Sequence, residues 1–221
     1  RIDANLLDVT MEDLHDMPKQ LYEGKISKLR EKTQGQLIIK EYPTASAHSG
    51  HFKSLMNELA LKKSFRPDVI FIDYLNICAS SRFKGGNISS YFYVKAIAEE
   101  LRGLAVEFNV PIFSATQTTR TGYVSTDIGL EDTSESFGLP ATADFMFALI
   151  SNEELEALGQ MKVKQLKNRY NDPSINRAFI IGVDRAKMKL YDVQQKAQDI
   201  VDANQKDEKE DAYDKFSDFK I

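Results

Sequence analysis

Residues 68–76 read Asp-Val-Ile-Phe-Ile-Asp-Tyr-Leu-Asn, in which four consecutive apolar residues, Val69 to Ile72, run into a carboxylate at Asp73. An unbroken apolar run of this kind predicts a parallel strand covered on both faces by helices, because a half-exposed strand would alternate. Pro67 and Asp68 mark its start. A carboxylate at the C-terminal end of such a strand falls at the edge of an open α/β sheet where ligands bind. The plainer alternative is an aspartate that caps or salt-bridges a neighbouring turn.

Upstream, Phe52, Leu55, Met56 and Leu59 recur at helical spacing over His51 to Phe65, and Leu37, Ile38 and Ile39 centre a short strand over Gln36 to Tyr42. Strand, helix and strand make a βαβ unit. Residues 1–10 space Ile2, Leu6, Leu7 and Val9 as a helix does. Residues 11–33 read as one polar helix with a thin stripe of Leu14, Leu21, Ile26 and Leu29, stopped by Gly35. His48 and His51 stand at a helix start, and no third ligand type clusters with them as a metal site requires.

Downstream, Ser80 to Ser90 is a polar loop holding Arg82 and Lys84. The pattern Val94, Ile97, Ala98, Leu101, Leu104, Ala105, Phe108 then predicts a strong helix ended by Asn109. Val110 to Ala115 is a second buried strand, ending at Thr116 and Gln117. The stretch from Thr118 to Glu135, with Arg120, is aperiodic and too long for a simple connection. A third strand spans Ala143 to Ile150, a fourth Met161 to Tyr170, and Arg177 to Val183 with Lys187 to Val193 reads as a closing hairpin. From Gln194 on, eight acidic and five basic residues occur with few apolar ones, so residues 194–221 are expected to be an acidic, disordered tail.

A length of 221 residues with 42% hydrophobic content suits one α/β domain over residues 1–193. The net charge of −4 excludes a surface coated in positive charge, though not a local nucleic-acid site. No apolar stretch is long enough to span a membrane and no signal peptide is visible, so a soluble cytoplasmic protein is expected, with the lone Cys78 as a small buried apolar residue. The chain starts at Arg1 without a methionine and enters at once into a helical pattern, as a piece of a longer protein would.

Five segments, taken in order, resemble the motor domain of the DnaB-type hexameric replicative helicases, in the branch carried by T-even-type bacteriophages. Phe71-Ile72-Asp73-Tyr74-Leu75-Asn76 is similar to the Walker B segment. Lys95 to Leu101 with Asn109-Val110-Pro111 resembles the helix and strand after it, and Ser114 to Arg120 the motif ending in a phosphate-sensing glutamine. Ser134-Glu135-Ser136 through Ala141-Thr142-Ala143-Asp144 resembles the DNA-loop motif, and Lys167-Asn168-Arg169 the Lys-x-Arg finger pair.

The resemblance implies a RecA-like P-loop NTPase core, seen in its C-terminal portion, with a mostly parallel sheet flanked by helices. It implies Asp73 as the acid ordering the Mg2+ of ATP, Gln117 as sensor, and Lys167 and Arg169 as a pair acting on the neighbouring subunit's phosphates. Arg82, Lys84, Arg120, Glu135 and Gly138 become candidates for contact with single-stranded DNA. The implied partners are that DNA, a homo-hexamer, primase and other replisome proteins, with no membrane. Two departures qualify it. No Gly-x-x-x-x-Gly-Lys-Ser/Thr occurs, so the phosphate-cradling loop is absent and the water-activating glutamate is expected before Arg1; Ser134 stands where many relatives have arginine. A RecA-type recombinase or clock-type ATPase, and a non-catalytic oligomerising module, are the alternatives on the same fold.

Overall fold

The computed structural model describes residues 1–83, 88–118, 129–130, 138–172 and 175–193. Its contacts group the chain into two compact units, one of Ile39–Met146 and Leu166–Pro173, the other of Arg1–Ile38, Phe147–Gln165 and the chain from Ser174 on. In chain order the described helices are α1 (Ile2–Leu7), α2 (Met11–Asp16), α3 (Lys19–Lys32), α4 (Ser49–Lys63), α5 (Ser90–Phe108), α6 (Gly138–Thr142) and α7 (Glu153–Ala157).

The first of the two units holds α4, α5 and α6. At the start of α4, His48 Nδ1 accepts the Gly50 N–H at 3.0 Å and His51 Nδ1 accepts the His48 N–H at 3.2 Å, so the two histidines cap the helix. Strand β1 (Ile70–Ile72) pairs in parallel with β2 (Ile112–Ser114), Phe71 opposite Phe113. Between them α5 ends, as its sequence predicts, on Asn109 in the left-handed region (φ 50°, ψ 51°), whose N–H returns to the Ala105 carbonyl. The stripe Val94, Ile97, Ala98 and Leu101 of α5 packs with Leu75, Cys78 and Leu139 into one core, against which Phe52, Ile72 and Met146 lean. Burying side chains of this size stabilises by about 1.5–3 kcal/mol each. Leu139 carries α6 onto α5.

In the second unit, residues of strands β3 (Phe145–Ile150), β4 (Gln160–Asn168), β5 (Ala178–Asp184) and β6 (Lys189–Asp192) follow one another in a four-stranded sheet. The β4/β5 and β5/β6 ladders are antiparallel, and β5 with β6 is the expected hairpin. At Gly182 a Cβ would meet the Tyr191 ring, which lies over it across the hairpin and would have to move aside. The α1–α2 corner rests on this hairpin, with Asn5 Nδ2 donating to the Met188 carbonyl at 2.6 Å and the Met11 N–H to that of Ala186 at 3.1 Å.

Four expectations are corrected. The parallel ladder has only two strands among the described residues and the larger sheet carries the antiparallel ladders, so the sheet is not mostly parallel. Strand β1 is three residues long and covered on one face only: Ile72 leans on the α5 core while Phe71, stacked on Phe113 at 5.3 Å, is 73% exposed. The segment 36–42 forms no strand, because no described neighbour offers it a ladder, and Leu37 and Ile39 lie exposed. The polar helix over 11–33 breaks in two, since Pro18 holds Met17 in extended backbone (φ −69°, ψ 127°). The tail at 194–221 lies outside the described residues.

Candidate functional site

Asp73 follows β1 and Gln117 follows β2, so the parallel register places both at the same C-terminal edge. The two departing turns are stitched together. Ser114 Oγ donates to the Ile72 carbonyl at 2.8 Å, the Leu75 N–H to the Ala115 carbonyl at 3.1 Å, and Thr116 Oγ1 to Asn76 Oδ1 at 2.9 Å. Gln117 Nε2 reaches Tyr74 Oη at 3.4 Å. Asp73 is exposed, and its carboxylate takes no hydrogen bond or ion pair from any described residue. A free carboxylate on a braced strand end is a hard oxygen donor of the kind Mg2+ selects.

Lys167 and Arg169, two residues apart at the end of β4, both turn to the 140–144 segment. Lys167 Nζ donates to the Pro140 carbonyl at 2.5 Å and lies 3.5 Å from that of Ala141. The Arg169 backbone N–H donates to the Asp144 carbonyl at 3.0 Å and its guanidinium to Asp144 Oδ1 at 2.8 Å. Arg102 of α5 meets the same Oδ1 at 2.8 Å and also donates to the Thr142 carbonyl at 2.6 Å. Burial pushes the Asp144 carboxyl up, but the hydrogen bonds and charges of Arg102 and Arg169 outweigh it and hold the group below its usual range.

Asp144 lines a shallow cleft of about 300 Å³ together with Arg102, Asn109 and Pro111. Of the four expected catalytic residues the structure makes two pairs, Asp73 with Gln117 at the C-terminal strand edge and Lys167 with Arg169 on the 140–144 segment beside α5.

No protein-family model matches the sequence. Over 198 residues, 88% of this chain, it is 48% identical to the DnaB-like replicative helicase of Enterobacteria phage T4. Over this span the chain is a relative of the DnaB-like replicative helicases. It spans 42% of that relative's length. Two solved structures share its fold at 16% identity, each aligned over 87% of this chain. One, described as an ATPase domain, is matched over 68% of its own chain with a TM-score of 0.67. The other, a DnaB-like replicative helicase described with its interactions with primase, is matched over 46% with a TM-score of 0.65. These matches do not favour the recombinase and clock-type alternatives.

Of the residues that the helicase resemblance marks for DNA, Lys84, Arg120 and Glu135 lie outside the described residues. Arg82 is exposed and ion-pairs with Glu99. Gly138 is buried at the start of α6, against the Lys95 side chain. The turn that carries Arg82 is held by a residue that sequence reasoning does not single out. Glu100 accepts from Ser49 Oγ at 2.7 Å, Ser80 Oγ at 2.6 Å, Ser81 Oγ at 2.7 Å and the Ser81 N–H at 3.0 Å. Burial pushes its carboxyl up, but these donors win and lower it to about 2. Asp144 is visible in the sequence as the last residue of a motif, whereas nothing local marks Glu100 or Arg102 as partners of distant groups. No described helix is long and apolar enough to cross a membrane.

Proposed function

We propose that this chain is part of the motor of an ATP-driven replicative DNA helicase, the C-terminal portion of a RecA-like core that acts as a homo-hexamer on single-stranded DNA in the host cytoplasm, alongside primase and other replisome proteins. One observation carries the reading. The exposed acid, with no partner among the described residues, and its glutamine share one strand edge, while Lys167 and Arg169 are held together on the 140–144 segment and none of the described contacts joins the two pairs. Cations held apart from the acid in this way would serve the phosphates of a neighbouring subunit rather than their own.

ATP would supply the phosphoryl group whose transfer to water drives movement, and Mg2+ would neutralise its charge. Asp73 would hold the metal through water, from a strand end that cannot drift. Gln117 hydrogen-bonds at the γ-phosphate end and continues directly into residues 118–137, so its position reports phosphate occupancy to the segment that resembles the DNA loop. Lys167 and Arg169 bring positive charge to the transferring group from across the subunit boundary. Arg82, Lys84, Arg120 and Glu135 would belong to the segments that follow DNA phosphates without reading bases, whereas Gly138, buried against Lys95, would not touch DNA itself.

The test uses the full-length helicase containing this sequence. Arg169→Ala retains folding and nucleotide binding while hydrolysis falls roughly 10³-fold or more, the usual effect of losing an arginine finger. Mixing Arg169→Ala subunits with subunits disabled in the P-loop then restores activity, since some interfaces regain both halves. Rings that exchange subunits yet recover nothing leave Arg169 a residue of its own chain.

A further inference from the structure

The Arg102–Asp144–Arg169 cluster does more than hold two strands together. We infer that Asp144 is the positioning residue of Arg169, and that with the Pro140 carbonyl it ties the Lys167/Arg169 pair to the link 138–144, the C-terminal part of the segment that resembles the DNA-loop motif. The inference rests on the trans-finger reading above and adds to it a fixture and a route.

Three features support it. First, Asp144 grips Arg169 twice, its carbonyl taking the backbone N–H at 3.0 Å and its carboxylate the guanidinium at 2.8 Å. A free arginine side chain carries about 2 kcal/mol of rotamer entropy, and fixing one N–H in advance removes that loss from the catalytic step. The other guanidinium donors have no partner among the described residues and stay available to phosphate oxygens.

Second, the charge is not cancelled. A one-to-one ion pair would neutralise the finger, but Arg102 shares the same Oδ1, so two guanidinium groups face one carboxylate and the trio keeps a net positive charge. Arg102 is itself fixed on α5 through the Thr142 carbonyl, so the carboxylate is presented from the best-packed helix of the unit. The clamp orients Arg169 and leaves its charge to act.

Third, Asp144 and Pro140 both belong to the link 138–144, whose first half is α6. Lys167 Nζ sits on the Pro140 carbonyl at 2.5 Å. Both cations are thus held by one short piece of chain, and a shift of that piece along α5 moves both together.

The experiment compares four forms of the full-length helicase: wild type, Asp144→Asn, Arg169→Ala and the double variant, with kcat and KM for ATP measured at saturating single-stranded DNA. Asp144→Asn lowers kcat roughly 10- to 100-fold at unchanged KM and ring size, the scale on which a supporting residue or a small misplacement acts. In the Arg169→Ala background the same change has no further effect, because its target is gone. Asp144→Glu, which keeps the charge on a longer arm, gives an intermediate kcat, and it carries the test if Asp144→Asn does not fold. An additive loss in the double variant, or wild-type kcat in Asp144→Asn or Asp144→Glu while Arg169→Ala is disabled, overturns the positioning role and leaves the finger reading intact. An active Arg169→Ala overturns the finger reading itself.

Discussion

At the C-terminal edge of β1 and β2, Asp73 stands exposed with no described partner, whereas beside α5 Asp144 takes two guanidinium groups and Arg169 is held by backbone and side chain together. Both places belong to one unit. On the proposed function, the difference follows from what each would do. An acid that receives a hydrated metal gains from being unpaired, since any cation already on it would have to be displaced. A cation that must arrive at a phosphate in another subunit gains from being held, provided its charge survives the holding.

Breaking the unpaired edge has the largest effect. Asp73→Asn in the full-length protein cuts hydrolysis by orders of magnitude, since a neutral amide holds Mg2+ poorly, and it leaves the melting temperature nearly unchanged because no described contact of the carboxylate is lost. Near-normal turnover would reduce Asp73 to a turn residue and erase the contrast. The 221-residue chain by itself, which contains no phosphate-cradling Gly-Lys-Ser/Thr loop, shows no steady-state ATPase above background; turnover in the purified chain would refute that.

The paired cluster responds in stability. Asp144→Ala leaves Arg102 and Arg169 facing each other without their shared acceptor and, as water can solvate both, lowers unfolding free energy by about 1 kcal/mol, read by denaturant titration. An unchanged midpoint would show that the cluster contributes nothing to the fold.

Glu100 sharpens the comparison from a third place. Its carboxyl is lowered in the folded protein from 4.5 to about 2, so its stabilisation is present in full above the ordinary carboxylate range and fades as pH falls toward 2. The melting temperature should therefore drop on acidification from about pH 5, and Glu100→Gln should flatten that drop by losing stability at neutral pH instead. A parallel pH curve in the variant would assign the acid sensitivity elsewhere. The smallest effect belongs to the exposed Asp8, whose carboxyl is lowered by the Lys189 hydrogen bond and by the charges of Lys187 and Lys189. Asp8→Asn should leave the melting temperature within error at physiological salt.

Much of this is legible in local pattern. The apolar stripe and closing Asn109 of α5, the β5–β6 hairpin and the two-residue spacing of Lys167 and Arg169 depend on neighbours a few positions away, and each stands in the structure where the sequence puts it. The break at Pro18 is equally local, but a longer periodicity runs across it and masks it. Pairing is not local. Residues 36–42 have strand composition but no ladder, and the Ile-Phe-Ile of β1 has the composition of a strand buried on both faces when only one is covered, because a strand's burial is set by what packs on it. The clamps are further from reach. Arg169 finds Asp144 across 25 positions and Glu100 finds Ser49 across 51. Which place in the unit a charge occupies, and whether it is left bare or held, is decided only when the chain closes on itself, since hydrogen bonds need atoms within about 3 Å and composition carries no such distance.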